Sequence, residues 1–390
     1  MKRKIIGAVL VLASVTIAGA CRRNQPPNSS AAPGGNASTL PAPGVSNALP
    51  SPAPVIAQAT YFNGSIGDNN GLEMKLIREG DKLSGSYYYQ KIGTAIGLKG
   101  TIDKDGNVAI DEFDPAGKQT GTFKGIWKSD LTTGTASIAG NWSKPNSDKK
   151  TAFSIHQQPI EFASGTEIVA KQIKENNKKL NYTVEVGYPE IKTALDTRFD
   201  KFNVEAKNVA GRMVAAFKKE QGETAKDDTG ATTTSELTST FSGSYRIAMA
   251  NDSLISMRYD FDGYMGGAAH GGESSAALNY DLKSGKVLKL ADLFTPGAKY
   301  VSVISAYCIT DLKRQSKATG DSLPDDMIKV GAAPNAQNFQ SWTITRKGLQ
   351  IAFDPYQVGP YAAGPQIVLV PYAALKDLIK PDGALAAFAK

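Results

Sequence analysis

His270 stands in the run FDGYMGGAAHGGESS, residues 261–275, among Gly266, Gly267, Gly271 and Gly272. The chain has one other histidine, His156. An imidazole in such a loop could act as a general base, bind a metal or order a turn. His270-Gly271-Gly272 could offer the backbone donors of an oxyanion hole. Gly272-Glu273-Ser274-Ser275-Ala276 ends in alanine where the nucleophile elbow G-x-S-x-G has glycine. That chemistry needs the serine on a strand–turn–helix elbow, followed in the chain by an acid and then a histidine. No histidine follows position 270, and the residues after Ser274 read as a strand.

Other groups of chemical residues fare no better. A zinc site needs several His, Cys or carboxylate ligands, and no H-x-x-x-H spacing occurs. Asp260 and Asp262 could supply the two carboxylates of a glycosidase, but alternate charged positions also describe the solvated face of a strand. Asp103-Lys104-Asp105-Gly106 suggests a calcium loop, yet an EF-hand places glycine at the sixth position, and here it is the fourth. We therefore assign no catalytic residue, no metal ligand and no cofactor. A hydrolase using His270 is kept as an alternative.

The glycines have a purpose without catalysis. Gly266-Gly267 and Gly271-Gly272 permit positive φ and close backbone approach, so the loop can fold tightly, with His270 fixing it through hydrogen bonds. A second segment, FDPYQVGPYAAGPQ, supplies Tyr356, Pro360, Tyr361 and Gly364. Rigid aromatic side chains suit binding hot spots, so these four, with His270, are the expected partner-binding residues.

The chain opens with a basic Lys2-Arg3-Lys4, an apolar run from Ile5 to Ala20, and Cys21. The run is short for a membrane span. It resembles a bacterial lipoprotein signal, which implies cleavage after residue 20 and lipidation of Cys21. The protein is then expected in the cell envelope, lipid-anchored and extracytoplasmic. Arg22 in place of an inner-membrane aspartate favours the outer membrane in a Gram-negative cell. Residues 21–59 are rich in Pro, Ser, Ala and Asn and carry no hydrophobic period, as in a flexible tether. The net charge of +7 includes three positive charges in the signal, and no dense basic stripe follows, so nucleic acid is not an expected partner. Cys308 is the only other cysteine, so no intramolecular disulfide holds the mature fold together.

The elements that must position these residues fall into two groups. Residues 60–158 alternate apolar and polar positions, as in Leu72, Met74 and Leu76, with glycine turns between. About eight short strands predict an antiparallel all-β meander or barrel, weakly similar to small avidin- or lipocalin-like barrels. Trp127 and Trp142 could line a ligand pocket there, which would make the barrel a small-ligand carrier. Residues 165–390 predict an α+β domain with helices packed on one face of an antiparallel sheet. Leu195, Phe199, Phe202, Ala206, Val209, Met213 and Phe217 mark one helical stripe, and Lys299–Ser316 a second helix. Gly222–Glu236 reads as a loop, and a last helix closes the chain.

Three motifs of this second domain, YMGGAAHGG, NYDLKSGKVLKLADLF and FDPYQVGPYAAGPQIVLVPYAAL, occur in this order. Over roughly 170–380 the chain resembles the extracytoplasmic domain of the lysozyme-responsive anti-sigma factor RsiV, and the similar domain of the polysaccharide deacetylase PdaC. The resemblance implies a non-catalytic binding domain whose partner is a lysozyme-type muramidase or peptidoglycan. A lipid anchor in place of a transmembrane helix removes the anti-sigma part of that inheritance.

Overall fold

A computed structural model describes residues 59–388, apart from 68–69, 90–91, 93, 131–134, 163–165, 194–195, 225–235 and 320–322. The signal segment, Cys21, the tether up to residue 58, Leu195 and most of the 222–236 loop lie outside the described residues. No helix among the described residues is long and apolar enough to cross a membrane.

Eight strands form a closed antiparallel barrel in chain order: β1 (Ala59–Ile66), β2 (Asn70–Glu79), β3 (Lys82–Tyr89), β4 (Ile96–Ile102), β5 (Asn107–Phe113), β6 (Gln119–Asp130), β7 (Thr135–Ser143) and β8 (Lys150–Gln157). Closure comes from β1 on β8, from Phe62 opposite Gln157 to Ile66 opposite Phe153. The alternation read in the sequence becomes the lumen. Phe62, Leu72, Leu76, Ile110, Phe123 and Ile155 are almost fully buried inside it, and edge-to-face rings such as Phe123–Phe153 at 5.1 Å fill the space between. Gly125 and Gly140 face each other across β6 and β7, and a Cβ on Gly140 would lie 2.1 Å from the Lys124 carbonyl oxygen. Only glycine lets the two strands approach this closely. Asp103 accepts from the Asp105 and Asn107 amides at 2.9 and 2.8 Å, so its carboxylate builds a hairpin turn.

The second group of elements is the expected α+β domain, with a large and mostly antiparallel sheet and a second, smaller one. A large sheet runs β10 (Glu167–Asn177), β11 (Tyr182–Lys192), β12 (Ser239–Asn251), β13 (Leu254–Tyr264), β14 (Gly272–Asp281) and β15 (Lys286–Val287). It is antiparallel except that β11 pairs parallel to β12, and the short β9 (Ile160–Glu161) pairs parallel to the far end of β12. Parallel neighbours need a long crossover, and helix α1 (Arg198–Thr224) provides it between β11 and β12. Its apolar stripe, including Phe202, Ala206, Val209 and Phe217, is buried on the sheet, where Phe217, Phe241 and Phe261 stack in sequence at 5.0 and 5.6 Å. The helix begins later than the periodicity suggests. Ile191 stays in β11, held by Asn203, whose side chain accepts from its amide and donates to its carbonyl.

A separate three-stranded sheet, β16 (Trp342–Ile344), β17 (Gly348–Phe353) and β18 (Gln366–Pro371), has its own core with α2 (Tyr300–Thr319). A short helix, α3 (Asp325–Gly331), precedes it. The expected closing helix is a single 3-10 turn, Tyr372–Ala374, followed by irregular turns.

Cys308 is fully buried on α2, and burial pushes its thiol up to about 12. Alkylation depends on the thiolate and on access. Iodoacetamide at neutral pH is expected to leave Cys308 unmodified in the native protein and to label it fully in denaturant, as read by peptide mapping.

Candidate functional site: an aromatic rim

The β13–β14 connection carries the glycine loop, and the β17–β18 connection carries the Pro/Tyr/Gly segment. Both are pinned from behind. The Gly266 amide donates to the Ser239 hydroxyl at 2.8 Å. Gln357 donates from Nε2 to the carbonyls of Gly331 and Asn338, at 3.1 and 2.9 Å. Ser275 on β14 donates from its backbone amide and hydroxyl to Asp354 at 3.1 and 2.5 Å, which ties the two sheets together beside the loops.

Held in this way, the loops bring three rings into contact. His270 stacks on Tyr361 with centroids 4.5 Å apart and planes 29° apart. Tyr356 lies 5.7 Å from Tyr361, and its hydroxyl is 3.4 Å from His270 Nε2. His270 Nδ1 is 2.6 Å from the Gly271 carbonyl oxygen. A carbonyl only accepts, so Nδ1 carries a proton. His270 and Tyr356 remain exposed. Of the three described non-glycine residues with positive φ, two are asparagines and the third is Tyr356, at φ 70°. A tyrosine held in that region stores strain, which proteins concentrate at ligand clamps and similar sites.

The rim has an acidic border. Burial, then the carboxylates of Glu273 and Asp262, push the Tyr361 hydroxyl above its ordinary value. Asp260, two residues before Asp262, is held by Arg258 at 2.8 Å and Arg246 at 3.7 Å. Val330, at the end of α3, is 74% exposed and belongs to the turn that anchors Gln357.

Five of the expected residues thus fall in two adjoining loops, with Pro360 exposed between the tyrosines and Gly364 at φ 65°. The glycine loop departs from expectation in detail. Only Gly267 takes a positive φ, at 89°. Gly271 supplies close approach instead, since a Cβ there would lie 3.1 Å from the Gly263 carbonyl oxygen, while one on Gly272 would meet open space. Ser274 lies within β14 opposite Phe261, and His156 lies on β8, beside the Ser154 hydroxyl. No cluster of three or more His, Cys, Asp or Glu suited to a metal occurs among the described residues.

Trp127 and Trp142 lie apart, near opposite ends of the lumen, facing Ile138 and Phe123 across β6–β7. Trp127 packs edge-on against Phe62 at 5.2 Å. Trp142 Nε1 donates to the buried Glu112 at 3.0 Å, which also accepts from the Tyr87 hydroxyl at 2.5 Å. Both tryptophans are partly buried and pack against the barrel core. Sequence reasoning missed Asp354, Ser275 and Gln357. They carry no local pattern, although Asp-Pro at 354–355 does mark a strand end.

Asp354 allows a test of this scaffold. Burial raises its carboxyl above the usual range, against the hydrogen bonds from Ser275. With the folded value raised, the native state binds the proton more tightly. The group's stability contribution is then greatest at low pH and declines as pH rises from the ordinary carboxyl range through the raised value. Asp354→Asn leaves one acceptor oxygen where the carboxylate offers two to the Ser275 amide and hydroxyl, and is expected to cost about 1–3 kcal/mol. Denaturant titrations across pH should show the advantage of the wild type over the variant shrinking as pH rises through that window.

Residues 291–373 match a family described as a protein of unknown function, DUF3298. The match contains Tyr356, Pro360, Tyr361 and Gly364, while His270 precedes it. Among particular proteins, the chain is 28% identical over 205 residues to the peptidoglycan-N-acetylmuramic acid deacetylase PdaC of Bacillus subtilis (strain 168). The alignment covers 53% of this chain and 40% of the deacetylase, in keeping with the PdaC-like domain read from the motifs. Two solved DUF3298 structures are similar. One, from Bacteroides fragilis NCTC 9343, has 18% identity and a TM-score of 0.43, covering 58% of this chain and 97% of its own. The other, from Pseudomonas aeruginosa PAO1, has 17% identity and a TM-score of 0.40, covering 55% and 94%.

Proposed function

We propose that this protein is a non-catalytic binding lipoprotein of the cell envelope, extracytoplasmic and anchored through Cys21. Its aromatic rim engages a lysozyme-type muramidase or the peptidoglycan that such an enzyme cuts. The observation that carries the reading is the His270–Tyr361 stack beside a strained, 57% exposed Tyr356. A protein that fixes three rings at its surface has already met part of the ordering cost of binding. The acidic border of Asp262 and Glu273 suits a basic partner, a local feature that the positive net charge conceals. The similarity to an enzyme that acts on peptidoglycan supports the cell-envelope setting.

Calorimetry of the purified protein with lysozyme at two salt concentrations, together with a muramidase assay and co-sedimentation with peptidoglycan, tests this. Binding at about 1 μM or tighter, near −8 kcal/mol, that persists at the higher salt supports recognition by the rim. Loss of muramidase activity would add inhibition. Absence of binding to both enzyme and glycan would overturn the proposal.

A further inference from the structure

The barrel and the large sheet pack together in one compact unit, and their seam is incompletely filled. The outer wall of β1–β3 faces β10 and β12 across a cavity of about 260 Å³. Tyr88 and Tyr245 join hydroxyls across it at 2.7 Å, and the Tyr61 hydroxyl donates to the Thr166 carbonyl at 3.2 Å. Glu73 accepts from Gln158, and Lys75 lies 3.5 Å from Glu167. Ile160, Ile168 and Ile247 supply apolar lining. Small-molecule sites have this character: they favour boundaries between folded units and are mostly apolar with a few convergent polar groups, at roughly 300–1,000 Å³. The seam is slightly below that range.

We infer that this seam is a binding site for a small organic cation, one ring or short chain bearing an ammonium group. Three tyrosine rings line it, and cations are attracted to the faces of aromatic rings. The lining bears the carboxylates of Glu73 and Glu167 and the ammonium of Lys75. The influence of the carboxylates reaches the rings themselves. Burial and then Glu167 push Tyr61 up to about 12, and Glu73 adds to the effect of burial in raising both Tyr245 and Tyr88. The site lies outside the barrel lumen and does not include the rim, so its failure would leave the rim proposal intact.

Benzylamine and its neutral counterpart benzyl alcohol, titrated by calorimetry into the purified protein, test the inference. Benzylamine is expected to bind saturably and at least about tenfold more tightly than the alcohol, a factor of ten being 1.4 kcal/mol. Glu73→Gln, which keeps an acceptor for Gln158, should bring benzylamine down to the level of the alcohol. Ala170→Leu fills the cavity from β10 and should abolish both, and Ser86→Leu repeats the block from the barrel wall should the first variant fail to fold. No saturable binding of benzylamine at millimolar concentration would overturn the site. Binding that survives both filled variants would overturn its location, and equal affinity for the two probes its preference for a cation.

Discussion

Tyr361→Ala is expected to weaken binding of a lysozyme-type muramidase by roughly thirtyfold, about 2 kcal/mol, the threshold of an interface hot spot. Two losses combine. The tyrosine ring is a large contact surface in its own right, and it is also the platform for His270, with centroids 4.5 Å apart. Without it His270 keeps only its long contact to Tyr356 and the one to its own neighbour, Gly271. Tyr361→Phe separates the contributions, because it preserves both stacks and removes only the hydroxyl beside Glu273. Its loss should be severalfold smaller. Tyr361 is only half-buried, so the melting temperature should change little in either variant. Calorimetry at a single salt concentration reads the affinities. Equal affinities for wild type and Tyr361→Ala would remove the rim as the binding surface.

Gly331→Ala is expected to remove the same binding without altering any atom a partner could touch. Gly331 is buried at the end of α3, and a Cβ there would lie 1.8 Å from the Gln357 carbonyl oxygen. Backbone cannot yield that distance without moving the loop. The displacement would break the two hydrogen bonds of the Gln357 side chain and release Tyr356 from its positive φ. Overpacking of this kind costs about 1–3 kcal/mol, to be read from denaturant midpoints, with loss of muramidase binding measured alongside. Gly211→Ala is the matched control. It sits in α1 with open space around its Cβ and should gain up to about 1 kcal/mol from helix propensity.

The legible parts of this fold have a period. Leu72, Met74 and Leu76 alternate because a barrel strand has one inward face, and the stripe of α1 repeats every three or four residues because one side lies on a sheet. Where the period is too short to express itself, the sequence is silent. α3 has seven residues and β16 three. Division of the second domain into two sheets depends on such short pieces. The parallel pairing of β11 with β12 depends on where α1 travels in space, which its stripe does not record. The site divides in the same way. His270, Tyr356 and Tyr361 are conspicuous by residue type and by their glycine and proline neighbours. That they touch is a product of the tertiary fold, since 86 positions separate His270 from Tyr356. The Ser275–Asp354 clasp spans 79. No local signal links such distant residues.

Closure of the barrel by β1 on β8 also bears on how the protein is made. The first strand to emerge must wait for the eighth before its second edge is covered. Until then the growing sheet presents open edges, which invite pairing with other chains, and contacts distant in sequence are slow to form. A chain interrupted before residue 150 would lack the strand that seals the sheet. Synthesis of this domain is therefore most exposed to aggregation just before its last strand arrives, and a holding chaperone would do most good during that interval.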